Sequence, residues 1–271
     1  MQAKASAKVS SMEGQLLSWA QMTGTQCADS RQIGEALRFD TVQCRNLLDK
    51  MNRRGIIVQL KRGLYLLPQK LPPGGKWQPS ADMAIWFFMK YRNAKWQETG
   101  ATVFNYYGLT EQVANQTVIY NDKISAKRKF GRLSVVFVKV ATSRIGGVTV
   151  LDLPSELEIK RKVGSLARVI LDGVYDYGRF GTLPNAYRWI EARKTDEAFL
   201  KELVDLSLCC GNVASRRRIG WLLERLAVNP SIYRPLLKSL TPSKSFIPAD
   251  PSVPKRGKTN IRWNVVENYY P

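Results

Sequence analysis

Apolar residues recur at helical spacing three times before Gly55. From Glu13, Leu16, Leu17 and Ala20 make one face of a short amphipathic helix that Thr23 and Gly24 end. A second helix opens near Asp29 or Ser30, either a good N-cap, and carries Ile33, Ala36 and Leu37 on one side. After Arg38, Phe39 and Asp40 a third runs from Thr41 to Arg54, with Gly55 suited to close it. Its Cys44, Leu47, Leu48 and Met51 fall at i, i+3, i+4 and i+7, so those four face a core. Then the period changes. Ile56, Ile57, Val58 and Leu60 lead to Lys61, Arg62 and Gly63, and Leu64 to Leu67 return: a hairpin with a basic turn.

Further on, Ala81 to Tyr91, including Ile85, Trp86, Phe87 and Phe88, reads as a buried helix. Val118 to Tyr120, Leu133 to Val140 and Val148 to Leu151 read as strands, with a basic loop of Lys127, Arg128, Lys129 and Arg132 between the first two. Helices follow over Gly164 to Tyr175, Leu183 to Arg193 and Asp196 to Leu208, and a last one begins after Ser215 with Arg216, Arg217, Arg218 and Ile219. Proline and glycine concentrate at Pro68 to Pro79 and at Thr241 to Lys258, where they stop regular structure. The expected organisation is a flexible tail (1–12), a winged helix-turn-helix (13–70), a linker (71–80), an α+β domain (81–245) and a proline-rich linker with a C-terminal segment (246–271). The fold class is α+β: an N-terminal winged helix-turn-helix, then a larger mixed α/β domain with a C-terminal helical part. No internal repeat is visible.

Composition narrows the chemistry. The 271 residues include 42 Lys and Arg against 22 Asp and Glu, a net charge of +20, and no histidine. Without imidazole, Ser-His-Asp and Cys-His catalysis, histidine ligation of zinc and histidine general-base chemistry are all excluded. The positive excess is distributed, at +6 for 1–70, +7 for 71–165, +5 for 166–245 and +2 for 246–271, so no single tail holds it. A field of that sign attracts nucleic acid, anionic membrane or an acidic protein. Membrane is the weakest of the three, because the most apolar stretch, Met83 to Met89, is far shorter than the roughly 20 residues of a spanning helix. No apolar region follows Lys4 and Lys8, so no secretory signal is expected and a cytoplasmic location is. Cys27, Cys44, Cys209 and Cys210 lack CxxC spacing and read as buried free thiols.

The third helix presents Gln43, Arg45, Asn46, Asp49, Lys50 and Arg53 away from its core face, with Arg54 at its end. Gln and Asn suit adenine edges, Arg suits guanine, and Lys suits phosphate. A plain solvated face would also be polar. The basic hairpin that follows, with Lys61 and Arg62, favours DNA, since three helices and a basic hairpin is winged-helix order. Winged helices also dock proteins. Lys127, Arg128 and Lys129, the Arg216, Arg217 and Arg218 run, and Arg262 form a candidate anion surface. Three arginines at a helix start oppose its dipole, so either a partner or acids such as Glu202, Asp205 and Glu224 accept them. Asp152 with Glu158 and Lys160 has the residue types of a nuclease metal site, but the spacing is too short for the two strands that normally carry it. No glycine-rich phosphate loop occurs. No catalytic residue, metal or cofactor is expected, and a metal-dependent nuclease targeted by a winged helix is the alternative.

The sequence resembles the AbiEi family of antitoxins in four stretches: Arg54–Gly55 with Arg62-Gly63-Leu64-Tyr65; Gly108-Leu109-Thr110-Glu111-Gln112 with Val118-Ile119-Tyr120; Arg217 to Leu223; and Asn260-Ile261-Arg262-Trp263-Asn264 with Asn268. The resemblance implies a bacterial cytoplasmic protein that represses its own operon by binding double-stranded promoter DNA. It also implies an antitoxin that counters a nucleotidyltransferase toxin of a type IV toxin–antitoxin system, without requiring a direct complex.

Overall fold

The computed structural model describes residues 11–112, 114–152 and 159–269. It is a mixed α+β protein with three sheets among the described residues. The chain sorts into two compact units: the first gathers the described residues through Ala94 together with Lys127–Val135, Ile159 and Lys160, the second those of Lys95–Ala126, Val136–Asp152 and Arg161 onward.

In the first unit α1 (Ser11–Met22), β1 (Cys27–Asp29), α2 (Ser30–Leu37), α3 (Thr41–Arg53), β2 (Val58–Lys61), β3 (Leu64–Leu66) and α4 (Ala81–Tyr91) follow one another. The three strands form an antiparallel sheet in the order β1-β3-β2. Leu16, Ile33, Leu48, Met51 and Ile57 are fully buried beneath it, as the helical periodicity requires. Both α2 and α3 start in capping boxes. Asp29 accepts from Gln32 N at 2.8 Å while Gln32 accepts from Asp29 N at 2.9 Å. Asp40 accepts from Gln43 N at 2.8 Å while Gln43 accepts from Asp40 N at 3.2 Å. Each box satisfies two helix-end donors and stabilises its helix by about 1 kcal/mol. Strand β1 is too short for any periodicity to announce it; it exists because Leu64–Leu66 offers it a partner.

The expected linker does not separate domains here. Trp77 N donates to Gly55 O at 2.7 Å, and α4 clusters with the first unit rather than with the larger domain. Proline density predicts an end to regular structure, not an end to contact.

A six-stranded sheet follows: β4 (Trp96–Thr99), β5 (Thr117–Asn121), β6 (Ala126–Phe130), β7 (Leu133–Lys139), β8 (Val148–Asp152) and β9 (Lys160–Gly164), in the order β6-β7-β5-β4-β9-β8. The basic segment expected as a loop is therefore edge strand β6 and its turn; alternate lysines on a strand read as hydrophilic, and that hid it. Helix α5 (Ala101–Tyr106) lies between β4 and β5 in sequence, and α6 (Leu166–Tyr175), α7 (Tyr177–Phe180), α8 (Asn185–Glu191), α9 (Glu197–Cys210), α10 (Val213–Arg225) and α11 (Pro230–Lys238) follow the sheet. Thr99 of β4 and Arg168 of α6 both donate to the fully buried Asp172 carboxylate, at 2.8 and 3.0 Å. Burial pushes Asp172 up, and those two donors together with Arg144 oppose it.

The last residues form β10 (Ile247–Pro248), β11 (Lys258–Asn260) and β12 (Val265–Glu267), with β12 central. They are no linker: Trp263 and Val265 are fully buried in the same core as Tyr187, Leu203 and Trp221. Helix α10 starts before the position expected, capped by Asn212, and is not the last, because α11 follows with Pro230 in its first turn and Pro235 inside it.

Candidate nucleic-acid interface

Helix α3 buries Cys44, Leu47, Leu48 and Met51. At about 100° per residue, Val42, Asn46, Asp49 and Arg53 then lie farthest from the core. Arg45 flanks that face on the side of the β2–β3 hairpin; Lys50, Gln43 and Arg54 flank it on the side of α1. The expected residues thus divide by what they touch. Arg45 and Asn46 are exposed; Arg45 Nε stands 4.0 Å from Asp49, and no hydrogen bond holds the Asn46 side chain among the described residues. Arg53 is exposed and folds Nε back to Asp49 O at 3.3 Å.

Gln43, Lys50, Arg54 and Lys61 are committed elsewhere, against the expectation that all of them face DNA freely. The Gln43 oxygen completes the α3 capping box. Arg54 meets both oxygens of the fully buried Glu13 at 2.6 and 2.7 Å, and Lys50 stands 3.3 Å from the same carboxylate. Lys61 reaches α4, donating to the Tyr91 hydroxyl at 2.6 Å with its ammonium 4.1 Å from the ring centroid. Arg62, at the hairpin turn, is exposed and has no ion pair among the described residues.

Between α2, the first half of α3 and the hairpin lies a concavity of about 610 Å³, lined by Arg31, Glu35, Arg45, Asp49, Arg62 and Tyr65 among others. Its floor is neutral: burial pushes the Cys44 thiol and the Tyr65 phenol above their ordinary values. Its rim carries three arginines against two carboxylates. Arg31 and the exposed Val42, 66% accessible, were not among the expected residues. Val42 sits one turn from Asn46 and offers an apolar surface of the kind a thymine methyl meets; only the helical wheel, not residue type, marks it.

The expected anion surface does not assemble. Arg128 points inward, its guanidinium 5.7 Å from the Phe88 ring, while Lys127 and Lys129 on the alternate face are exposed. Arg216 donates to Ser207 O, Leu208 O and Gly211 O, so it caps the C-terminus of α9. Arg217 and Arg218 are buried and donate to Ser245 O and Pro248 O, each at 3.2 Å. The acids expected to balance the run are not their partners in these bonds. Glu224 instead pairs with Arg262 at 2.6 Å and accepts from the Trp263 indole at 2.6 Å.

Asp152 ends β8 and Lys160 begins β9, both exposed, and Glu158 lies outside the described residues. No group of three His, Cys, Asp or Glu side chains that could hold a metal occurs among the described residues. All four cysteines are free; Cys44 and Cys210 are buried as expected, whereas Cys27 is half-buried and Cys209 exposed. No helix of the described residues is long and apolar enough to cross a membrane.

Comparison with known proteins bears on the fold. Residues 35–161, from α2 to the start of β9, match a family described as of unknown function, DUF6088. No curated protein matches the chain. The crystal structure of the RV2827C protein from Mycobacterium tuberculosis superposes with a TM-score of 0.63 at 13% identity, covering 98% of this chain and 94% of that one. The likeness is one of fold, over nearly the whole of both chains.

Proposed function

We propose that the protein is a sequence-specific DNA-binding regulator whose first unit is a winged helix, with α3 as reading helix and the β2–β3 turn as wing. One observation carries this reading: Asn46 and Arg53 project from α3 opposite its buried stripe, and Arg45 flanks them on the side where it shares a concavity with Arg62 of the hairpin turn, with no buried acid neutralising any of the four. The element order α1-β1-α2-α3-β2-β3 is that of winged helices, and the +20 charge supplies the attraction. Arg45 and Asn46 have the donors to read guanine and adenine, at about 1–3 kcal/mol per good bidentate pair. Arg62 takes a phosphate.

The AbiEi-like motifs extend the proposal: the DNA is the protein's own promoter, and the protein is the antitoxin of a nucleotidyltransferase toxin, acting without an obligatory complex. Co-expression with the product of the neighbouring gene, first assayed for nucleotidyltransferase toxicity, tests this part separately. Restored growth supports it, and unrelieved toxicity removes it while leaving the DNA-binding proposal intact.

The binding test is a set of variants titrated on the duplex upstream of the gene. Arg45→Ala with Asn46→Ala is expected to weaken upstream binding by roughly 10- to 100-fold and to leave a scrambled duplex nearly unaffected. Arg62→Ala is expected to lower the salt slope by about one. If both variants bind like the wild-type chain, α3 and the wing are not the interface.

A further inference from the structure

Edge strand β6 is strongly basic, and neither α3 nor the β2–β3 turn gives it a role. The Gln78 side chain fixes its turn: Nε2 donates to Phe130 O at 2.9 Å and Oε1 accepts from Arg132 N at 3.0 Å. Between them Gly131 has φ +61°, and a Cβ there would stand 2.1 Å from Gln78 Oε1, so only glycine allows this clamp. The residue before Gln78, Trp77, donates to Gly55 O just past the end of α3. Three hydrogen bonds through two adjacent residues thus tie the β6–β7 turn to the C-terminal end of α3, inside the first unit.

The charge lies where that tie puts it. Lys76, Lys129 and Arg132 are exposed and line one concavity of about 620 Å³ together with Asn52 of α3 and Gln59 of β2. No acidic side chain lines it, and none of the three cations has an ion pair among the described residues. The strand alternates: Lys127 and Lys129 face out, while Arg128 and Phe130 pack on Phe88, the two rings 5.4 Å apart.

We propose that the β6–β7 turn is a second arm of the DNA-binding unit, in which Lys76, Lys129 and Arg132 contact duplex phosphates beyond the segment read by α3. The inference rests on the reading of α3 as the DNA-facing helix. Phosphodiester backbone suits the site better than an acidic peptide. The concavity is open, every charged residue that lines it is cationic, and it continues the polar surface of α3 through Asn52, with Ile57 and Val58 buried and only Trp77 offering partly exposed apolar surface. The competing role for the lysines is to guard a sheet edge against pairing with another chain.

The experiment compares the full-length wild-type chain, a Lys129→Ala/Arg132→Ala variant and the Arg45→Ala/Asn46→Ala variant on upstream and scrambled duplexes across a salt series. For the Lys129→Ala/Arg132→Ala variant, the β6–β7 hairpin variant, a salt slope smaller by about two and a loss of affinity equal on both duplexes are expected, because phosphate contacts carry no sequence information. Unchanged slope and affinity in that variant, with discrimination lost in the α3 variant, overturns the arm and keeps the helix. Self-association at unchanged affinity also overturns it and assigns the lysines to edge protection. Loss in the hairpin variant with none in the α3 variant places DNA on the arm and removes α3 from the reading.

Discussion

At the residue scale, type was legible and commitment was not. The sequence marks Gln43, Arg45, Asn46, Lys50, Arg53 and Arg54 alike as polar residues opposite an apolar stripe. What divides them is the capping box that takes Gln43 and, on α1, the fully buried Glu13 carboxylate that draws Lys50 and Arg54 to itself. No spacing rule connects residues forty positions apart. Glu13→Gln keeps the volume and removes the charge those two cations meet. Arg54 and Lys50 retain partial access to water, which softens the loss, so chemical denaturation is expected to register about 1 to 3 kcal/mol of destabilisation. An unchanged midpoint would mean that the buried carboxylate contributes nothing. The thiols make a second case. Burial pushes Cys27 up to about 12 and Cys210 up to about 11, and raises Cys44, whereas Cys209 is exposed. A thiol reagent at pH 8 is therefore expected to modify Cys209 quickly, half-buried Cys27 slowly because its thiol stays protonated, and Cys44 and Cys210 only on unfolding. Two or more fast equivalents would contradict that burial pattern.

At the element scale, helices with a long apolar stripe were legible almost to the residue: α3 and α4 fall where periodicity puts them. Strand β6 was lost because alternate lysines mimic a loop, and α11 because prolines at both 230 and 235 mask its stripe. The arginines of α10 illustrate how a local conflict is settled by a neighbour. Read alone, Arg216 opposes the dipole of its own helix; in place, it satisfies the final carbonyls of α9. The two C-terminal stretches that resemble antitoxins prove to be halves of one packing arrangement. Gly220 lies under Trp263, where an added Cβ would stand 2.1 Å from the indole, and Trp221 donates to Glu267 at 3.0 Å. Gly220→Ala is thus expected to cost about 3 kcal/mol or more through overpacking, with a change in tryptophan emission. Wild-type stability in that variant would show that the indole does not rest on α10. These motifs build a packing contact through Gly220 and Trp263, while Ile261 and Arg262, just before Trp263, stay exposed.

At the scale of the whole molecule, net charge and element order point the same way, while unit boundaries were hidden from the sequence. Proline-rich segments at 68–79 and 241–258 suggested linkers, yet the first is hydrogen-bonded to the end of α3 and the second leads into buried Trp263 and Val265. Long-range pairing, which composition does not encode, decides both. It also moves the basic turn at 131–132 into the unit that carries α3, so that two cationic elements are built onto one scaffold. Charge alone, however, gives attraction without discrimination, and the proposed regulator requires discrimination. The most direct test is a titration of the wild-type protein on the duplex upstream of its gene and on a scrambled duplex of equal length, at two salt concentrations. The account predicts a preference of about 10³-fold or more for the upstream duplex that persists at the higher salt. Equal affinity for both, falling together as salt rises, would contradict it and leave only the electrostatics of a +20 chain.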